Sequence, residues 1–410
     1  MNRLIFLNRY FFPDHSATSQ ILSDLAFHLA KVGWDVHVIT SQQRYDDQNA
    51  SLAAQETVAG VQIHRIRTTR FGRSGLLGRS LDYLSFYASM WRSIRALAGA
   101  GDILIAMTDP PLLSVLAMRA ARSRGARLVN WLQDIYPEVA IELGVPFFKG
   151  PISKGLCYLR DQSLKAACAN VVVGHQMGKT ILACGVPAEC IHVIPNWSDD
   201  DQISPIDHAD NPLRREWGLE NKFVVGYSGN LGRAHEFDTV LAASEQLRNN
   251  PHIVFLVVGG GHHLQEFTLQ VEKRDLGRNY RFMPYQDRAL LKQLLGVPDV
   301  HWLSLRAELD GLIVPSKFYG IAAAGRPIIA ITANDGEIAQ LVRQHNCGIV
   351  IEPGDADALA AAILQLSSDA ESRAAMGKRA RAMLEAHFTC RHGFERWNDV
   401  LGRGIINAQP

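Results

Sequence analysis

Long apolar runs are missing from this 410-residue sequence, and none of those present would span a bilayer. The first one, Leu4 to Leu7, is strand-length and meets Asn8 and Arg9 at once, which does not fit a secretory signal. Cysteine is sparse. Cys157, Cys168, Cys184, Cys190, Cys347 and Cys390 show no C-x-x-C spacing, so they read as buried free thiols in a reducing compartment rather than a disulfide frame. Net charge is also missing: 42 basic residues oppose 41 acidic ones, and a field of +1 gives no reason to expect nucleic acid as a partner. Free thiols in the cytoplasm are the expectation. What the chain has is bulk. At 47% hydrophobic over 410 residues it can fill two or three cores.

Strand-like and helix-like stretches alternate. Leu4–Leu7, Val36–Thr40, Val61–Ile66, Asp102–Met107, Ala126–Leu132, Val171–Val173 and Ile191–Ile194 read as buried strands. Ser19–Val32, Leu81–Leu97 and Leu112–Ser123 read as helices between them. A second series runs through Phe223–Tyr227, Ile253–Val258, Tyr280–Met283, Val300–Leu303, Ile328–Ile331 and Gly348–Ile351. Between the series lies an acidic stretch with two prolines and no period, read as a linker. The expected class is α/β: two doubly wound Rossmann-like domains facing across a cleft, with ligands at the carboxyl ends of the strands. Expected boundaries are 1–200 for the first domain, 201–215 for the linker and 216–385 for the second domain. Residues 386–410 are expected as a C-terminal helix returning to the first domain.

Residues 311–330 carry the sharpest local signal. Ser316 and Lys317 open a helix of small residues that stops at Gly325, just before the strand Ile328–Ile331. Helix starts bind anions through free N–H groups and the dipole, and Lys317 adds a point charge. The ligand such a place suits is a diphosphate; an ordinary βα unit with a surface lysine is the competing reading.

The order of motifs resembles family-four glycosyltransferases of the GT-B type over residues 4–400. Tyr10 to Pro13 with Ser16, Ala17 and Thr18 is similar to the family's first loop, although two glycines usually stand at Ser16 and Ala17. Gly33 to Val38, Gly185 to Pro187 and His192 to Asn196 follow in family order, then Gly226 to Arg233 and Gly348 to Asp355. Gln133 to Val139 and Pro315 to Lys317 resemble the branch that builds colanic acid and O-antigen repeat units. One departure stands out. The family's two glutamates, eight positions apart, would fall at Leu312 and Gly320. The family also favours Arg and Lys where Asn230 and His235 stand.

The resemblance implies transfer from a nucleotide-diphosphate sugar to a lipid-linked, polyprenyl-diphosphate saccharide, with retained configuration and no metal or other cofactor. Gly229, Asn230, Arg233, Ser316 and Lys317 are the expected diphosphate contacts, since a departing nucleotide needs positive charge and close backbone. Glu308, Asp310 and the N–H groups of Gly311 and Leu312 are expected at the donor sugar, and the loop from Phe282 to Tyr285 at the base through backbone contacts, a plain surface loop being the alternative. Asp134, at a strand end, is expected to orient the acceptor or take its proton, with Glu138 sharing the task; the alternative is that Asp134 caps the next helix. His15 in the first loop is either a third participant or a plain loop residue.

Asp199 to Asp201 satisfies a D-x-D pattern, and His262 with His263 suggests a metal pair. Both read as loop chemistry instead. From Arg65 to Arg95 arginines alternate with aromatics, with Asp82 the single acid, which suits an anionic membrane surface or a solvated amphipathic helix. The expected place is therefore peripheral, on the inner face of the plasma membrane. Two other functions remain open: a nucleotide-sugar 2-epimerase, which would need more carboxylates, and a non-catalytic sugar-nucleotide binder.

Overall fold

A computed structural model describes residues 2–45, 47, 51–69, 71, 76–145, 148 and 150–405. The chain forms two compact units, residues 1–195 with 394–410, and residues 196–393.

The first unit holds an eight-stranded sheet. Its strands are β1 (Leu4–Leu7), β2 (Val36–Ser41), β3 (Gln55–Val58), β4 (Val61–Ile66), β5 (Ile103–Ala106), β6 (Arg127–Leu132), β7 (Ala169–Val172) and β8 (Ile191–Val193), in the order β3-β4-β2-β1-β5-β6-β7-β8. All pairs are parallel except the β3–β4 hairpin. Strand β1 is buried at every residue, as a central parallel strand covered on both faces must be. Helices α1 (Ala17–Lys31), α2 (Leu76–Leu97), α3 (Leu113–Arg124), α4 (Glu138–Glu142), α5 (Pro151–Ala166) and α6 (His175–Ala183) supply the cover. The apolar stripe of α1, Ile21, Leu22, Leu25 and Leu29, is buried. Sequence periodicity missed β3, whose residues alternate between half-buried and exposed, and α5, whose outer face shows Ile152 and Tyr158 to solvent.

The second unit repeats the plan. Strands β9 (Phe223–Asn230), β10 (Ile253–Gly260), β11 (Tyr280–Met283), β12 (Val300–Ser304), β13 (Ile328–Ile331) and β14 (Gly348–Ile351) stand in the order β11-β10-β9-β12-β13-β14, all parallel. Its helices are α7 (Pro212–Glu216), α8 (Asp238–Gln246), α9 (Leu264–Lys273), α10 (Leu291–Gly296), α11 (Lys317–Ala323), α12 (Glu337–His345), α13 (Ala356–Ser368) and α14 (Ala370–His387). Strand order reverses beside β1 and beside β9, the places where open α/β sheets bind ligands.

The expected linker is part of the second unit. Asn211 is fully buried, caps α7 by accepting from the N–H groups of Leu213 and Arg214, and donates to the Gln293 carbonyl. Arg326 and Arg381 hydrogen-bond the carbonyls of Ile206 and Ile203. Segments this firmly tied down do not act as hinges, so the 201–215 reading is corrected. The first boundary falls at Pro195/Asn196, because Trp197 packs against Gly393, where a Cβ would come within 2.3 Å of the indole. Helix α15 (Cys390–Asp399) carries the chain out of the second unit. Phe394 stacks on His28 at 4.1 Å between ring centroids, and fully buried Trp397 meets fully buried Trp131 edge-on at 4.8 Å. All six cysteines are unbridged, but only Cys347 is buried; the other five are half-buried, which corrects the expectation of buried thiols.

Candidate functional site

In the second unit the strand ends at the reversal point are built from glycine. Gly229 and Gly259 face each other in the β9–β10 register, with φ of 119° and 130°. A Cβ on Gly259 would lie 2.3 Å from the Gly229 carbonyl oxygen, and one on Gly229 would lie 2.8 Å from Lys317 Cε. Backbone bars a side chain at Gly259, and both φ values lie where glycine is favoured. Lys317 opens α11, the seven-residue helix of small residues, and Gly325 (φ 64°) stops it.

Lys317 Nζ donates to the Asn230 carbonyl at 3.2 Å and sits 3.2 Å from His235 Nε2, with the Tyr227 ring 5.2 Å away. His235 Nδ1 lies 2.7 Å from the Ser304 carbonyl oxygen. A carbonyl can only accept, so Nδ1 carries the proton and Nε2 presents a lone pair to the lysine. Burial, then the charge of Lys317, pushes the His235 pKa down to about 3. Burial brings Lys317 down to about 8. Its partners are a carbonyl, a neutral imidazole and a ring, with no carboxylate among them. The result is a half-buried cation poised to neutralise an anion. The structure thus joins Gly229, Asn230 and Lys317 and adds His235, which the sequence reading passed over. Its signal was the departure from the family's usual basic residue. Ser316 precedes α11 without a side-chain capping bond, and Arg233 is solvent-exposed.

Other donor-side expectations are corrected. The Leu312 N–H donates to the Leu309 carbonyl at 3.0 Å, and the Gly311 N–H serves the Asp310 carboxylate, so neither is left for a sugar. Asp310 also accepts from the Glu337 N–H at 3.2 Å and so secures the start of α12. Burial raises its pKa, against the pull of that N–H. Glu308 is exposed and pairs with Arg306 at 3.7 Å. Phe282 stacks on Tyr280 and meets Phe267, its half-buried ring packed against the core, which leaves the backbone of this loop as its means of meeting a base. Tyr285 remains on the surface, its ring against Gly260, where a Cβ would come within 2.9 Å.

In the first unit Asp134 follows β6 and lines a small cavity of about 20 Å³ with Thr108, Leu112, Tyr136 and Arg160. Burial, then the nearby charge of Asp109, raises its pKa to about 7. It does not cap α4, whose N-cap is Pro137 with no side-chain bond. Glu138 is withdrawn from any shared role. Arg160 grips it with two bonds, 2.5 and 2.8 Å, and also reaches the Tyr136 carbonyl at 3.2 Å. His15 is exposed, and only its carbonyl is engaged, by Gln20. Ser16, Ala17 and Thr18 form the start of α1, where the Ser16 N–H donates to Asp14 Oδ1.

Asp199 caps its own turn, accepting from the N–H groups of Asp201 and Gln202 at 3.0 Å. His263 pairs with Glu266 at 3.1 Å. The basic patch loses one member: Arg65 is buried, bonded to Glu56 at 2.6 Å and to the carbonyls of Phe12 and Ala53. Arg70, Arg73 and the side chain of Arg79 lie outside the described residues. Arg67, Arg92 and Arg95 are exposed, as are Phe71, Leu81 and Leu84.

Two doubly wound units, one with a glycine-lined cation at its strand ends and one with a carboxyl at its own, have the GT-B architecture. The sequence agrees. Residues 210–383 match the model of glycosyl transferases group 1, and residues 17–197 that of the glycosyl transferase 4-like domain. The chain belongs to the GT-B glycosyltransferases. It is 27% identical to a putative colanic acid biosynthesis glycosyl transferase, WcaI, of Escherichia coli (strain K12), covering 86% of this chain and 89% of that one. It is also 27% identical to a probable glycosyltransferase, WbjE, of Pseudomonas aeruginosa, over 71% of this chain and 72% of that one. Among solved structures, Anabaena HepE in complex with UDP and glucose superposes with a TM-score of 0.75 at 18% identity, over 98% of this chain and 100% of that one.

Proposed function

We propose that the protein transfers a sugar from a nucleoside-diphosphate donor to a saccharide carried on polyprenyl diphosphate, with retention of configuration, in the assembly of a surface polysaccharide. The observation that carries this reading is Lys317, a half-buried cation without a carboxylate partner beside glycine backbone. As the glycosidic bond breaks, charge gathers on the diphosphate, and Lys317 stabilises it, with Arg233, two residues before His235, as a second cation. Asp134, whose carboxyl ionises at about pH 7, orients the acceptor hydroxyl and, as the carboxylate, takes its proton. The colanic acid assignment of WcaI and the UDP bound to HepE support the substrate classes. No described helix is long and apolar enough to cross a membrane. The exposed arginines and apolar residues of α2 support a peripheral place on an anionic leaflet.

Release of nucleoside diphosphate from UDP- and GDP-sugars, with and without a lipid-linked saccharide, tests the reading. Acceptor-dependent release that survives EDTA is expected. Interconversion of donor epimers would indicate an epimerase, and tight binding without any turnover a non-catalytic binder.

A further inference from the structure

A second cavity, of about 410 Å³, opens on the first unit between α2, α3 and α5. Tyr87 and Trp91 of α2, Val115 and Leu116 of α3, and Leu159 of α5 line it, with Arg119 as its charged member. Leu84 continues the Tyr87–Trp91 stripe one turn earlier and is 63% exposed. This is a trough of apolar and aromatic side chains left open to solvent, a feature soluble surfaces rarely keep without a ligand.

Two further observations say what it holds. The first is charge. Exposed Arg119, Arg122 and Arg124 stand on α3, which has no acidic residue, and exposed Arg92 and Arg95 stand on α2. Arg95 lies over the Trp91 ring at 5.8 Å. The acid of α2, Asp82, is turned inward, accepting from Thr69 Oγ1 and the Phe71 N–H. An apolar chain with an anionic head complements such a surface. The second is continuity. Leu112 lines both this trough and the Asp134 cavity, so the two adjoin. Its backbone is left-handed, φ 64° and ψ 15°, which is uncommon for leucine and sets its side chain at this junction.

We infer that the α2–α3–α5 trough seats the isoprenoid chain of the acceptor's diphosphate lipid and thereby delivers its saccharide end to Asp134. A single trough takes one chain, whereas a diacyl lipid brings two. The inference rests on the lipid-linked acceptor proposed above.

Farnesyl diphosphate and inorganic diphosphate serve as probes of the full-length protein. Farnesyl diphosphate should bind at least tenfold more tightly than inorganic diphosphate. Leu159→Glu, and separately the surface change Arg119→Glu, should each weaken it several-fold while donor hydrolysis and melting temperature stay near wild type. Equal affinity for the two probes, or wild-type affinity in both folded variants, overturns the inference. With lipid-linked saccharides, a raised KM at unchanged kcat is expected in both variants. Normal kinetics there would sink the trough but leave the acceptor reading standing. Transfer by the wild type to soluble glycans only would overturn both.

Discussion

His235 holds Lys317 by a lone pair rather than by a charge: its Nδ1–H is fixed on the Ser304 carbonyl at 2.7 Å, and its Nε2 stands 3.2 Å from the lysine Nζ. A carboxylate there would neutralise the lysine. A neutral imidazole orients it and leaves its charge for a ligand.

Lys317→Ala should weaken nucleoside-diphosphate binding by about 1.5–3 kcal/mol, the range for hydrogen bonds to charged groups. Calorimetry with UDP and GDP measures it. Affinity within twofold of wild type would place the diphosphate elsewhere.

The same residue predicts opposite pH trends for binding and stability. Lys317 is charged below about pH 8 and neutral above it, so donor affinity should fall as pH rises through 8. Its folded-state pKa lies below the ordinary lysine value, so between those values the unfolded chain binds more protons. Stability of the ligand-free protein should therefore rise with pH across that window. Thermal melts of wild type and Lys317→Met isolate the contribution; identical slopes would refute the assignment.

His235→Phe removes the acceptor and should cost about 0.5–1.5 kcal/mol in donor affinity. His235→Gln keeps an acceptor and should recover part of it. Because burial keeps His235 neutral down to about pH 3, no histidine step should appear in the wild-type affinity between pH 5 and 8.

Asp134→Asn should keep the fold and donor binding but lose most transfer. Turnover should rise with pH through about 7 as the carboxyl ionises. Asp109→Asn should move that midpoint down, since the Asp109 charge helps hold it up. A profile unmoved by Asp109→Asn would remove Asp109 as a cause.

Glu138→Ala should behave as a stability mutant. Arg160 is 5% exposed and would lose its bidentate partner but keep Asp161 at 2.7 Å, so the cost should fall below the ~3–5 kcal/mol of an uncompensated buried charge. A lowered melting temperature is expected, with a per-folded-molecule donor affinity equal to wild type.

The strands of both sheets were legible because parallel strands covered on both faces read as apolar runs; Leu4–Leu7 and Ile328–Ile331 are buried at every residue. Strand β3 was not, because an edge strand with half-buried and exposed faces carries no such run. The supposed linker misled because its aspartates and prolines look solvated, while the bonds from Asn211, Arg326 and Arg381 that secure it come partly from residues about 80 to 180 positions away. Lys317 could be read from its place at a helix start. His235 could not, since its role depends on the Ser304 carbonyl, 69 residues on. Arg65 and Glu138 looked functional for the same reason: charge is visible in a sequence, and the partner that consumes it is not.

The Trp131–Trp397 contact gives the molecule an order of assembly. The first unit is opened by the earliest residues and completed only from Phe394 onward, whereas residues 196–393 contain everything the second unit needs. During vectorial synthesis Trp131 is without its Trp397 neighbour until the whole of the second unit has been made. A fragment stopping at Pro195 would expose that indole permanently. Dissection of this enzyme into halves should therefore keep residues 394–405 with the first half, fused or supplied in trans.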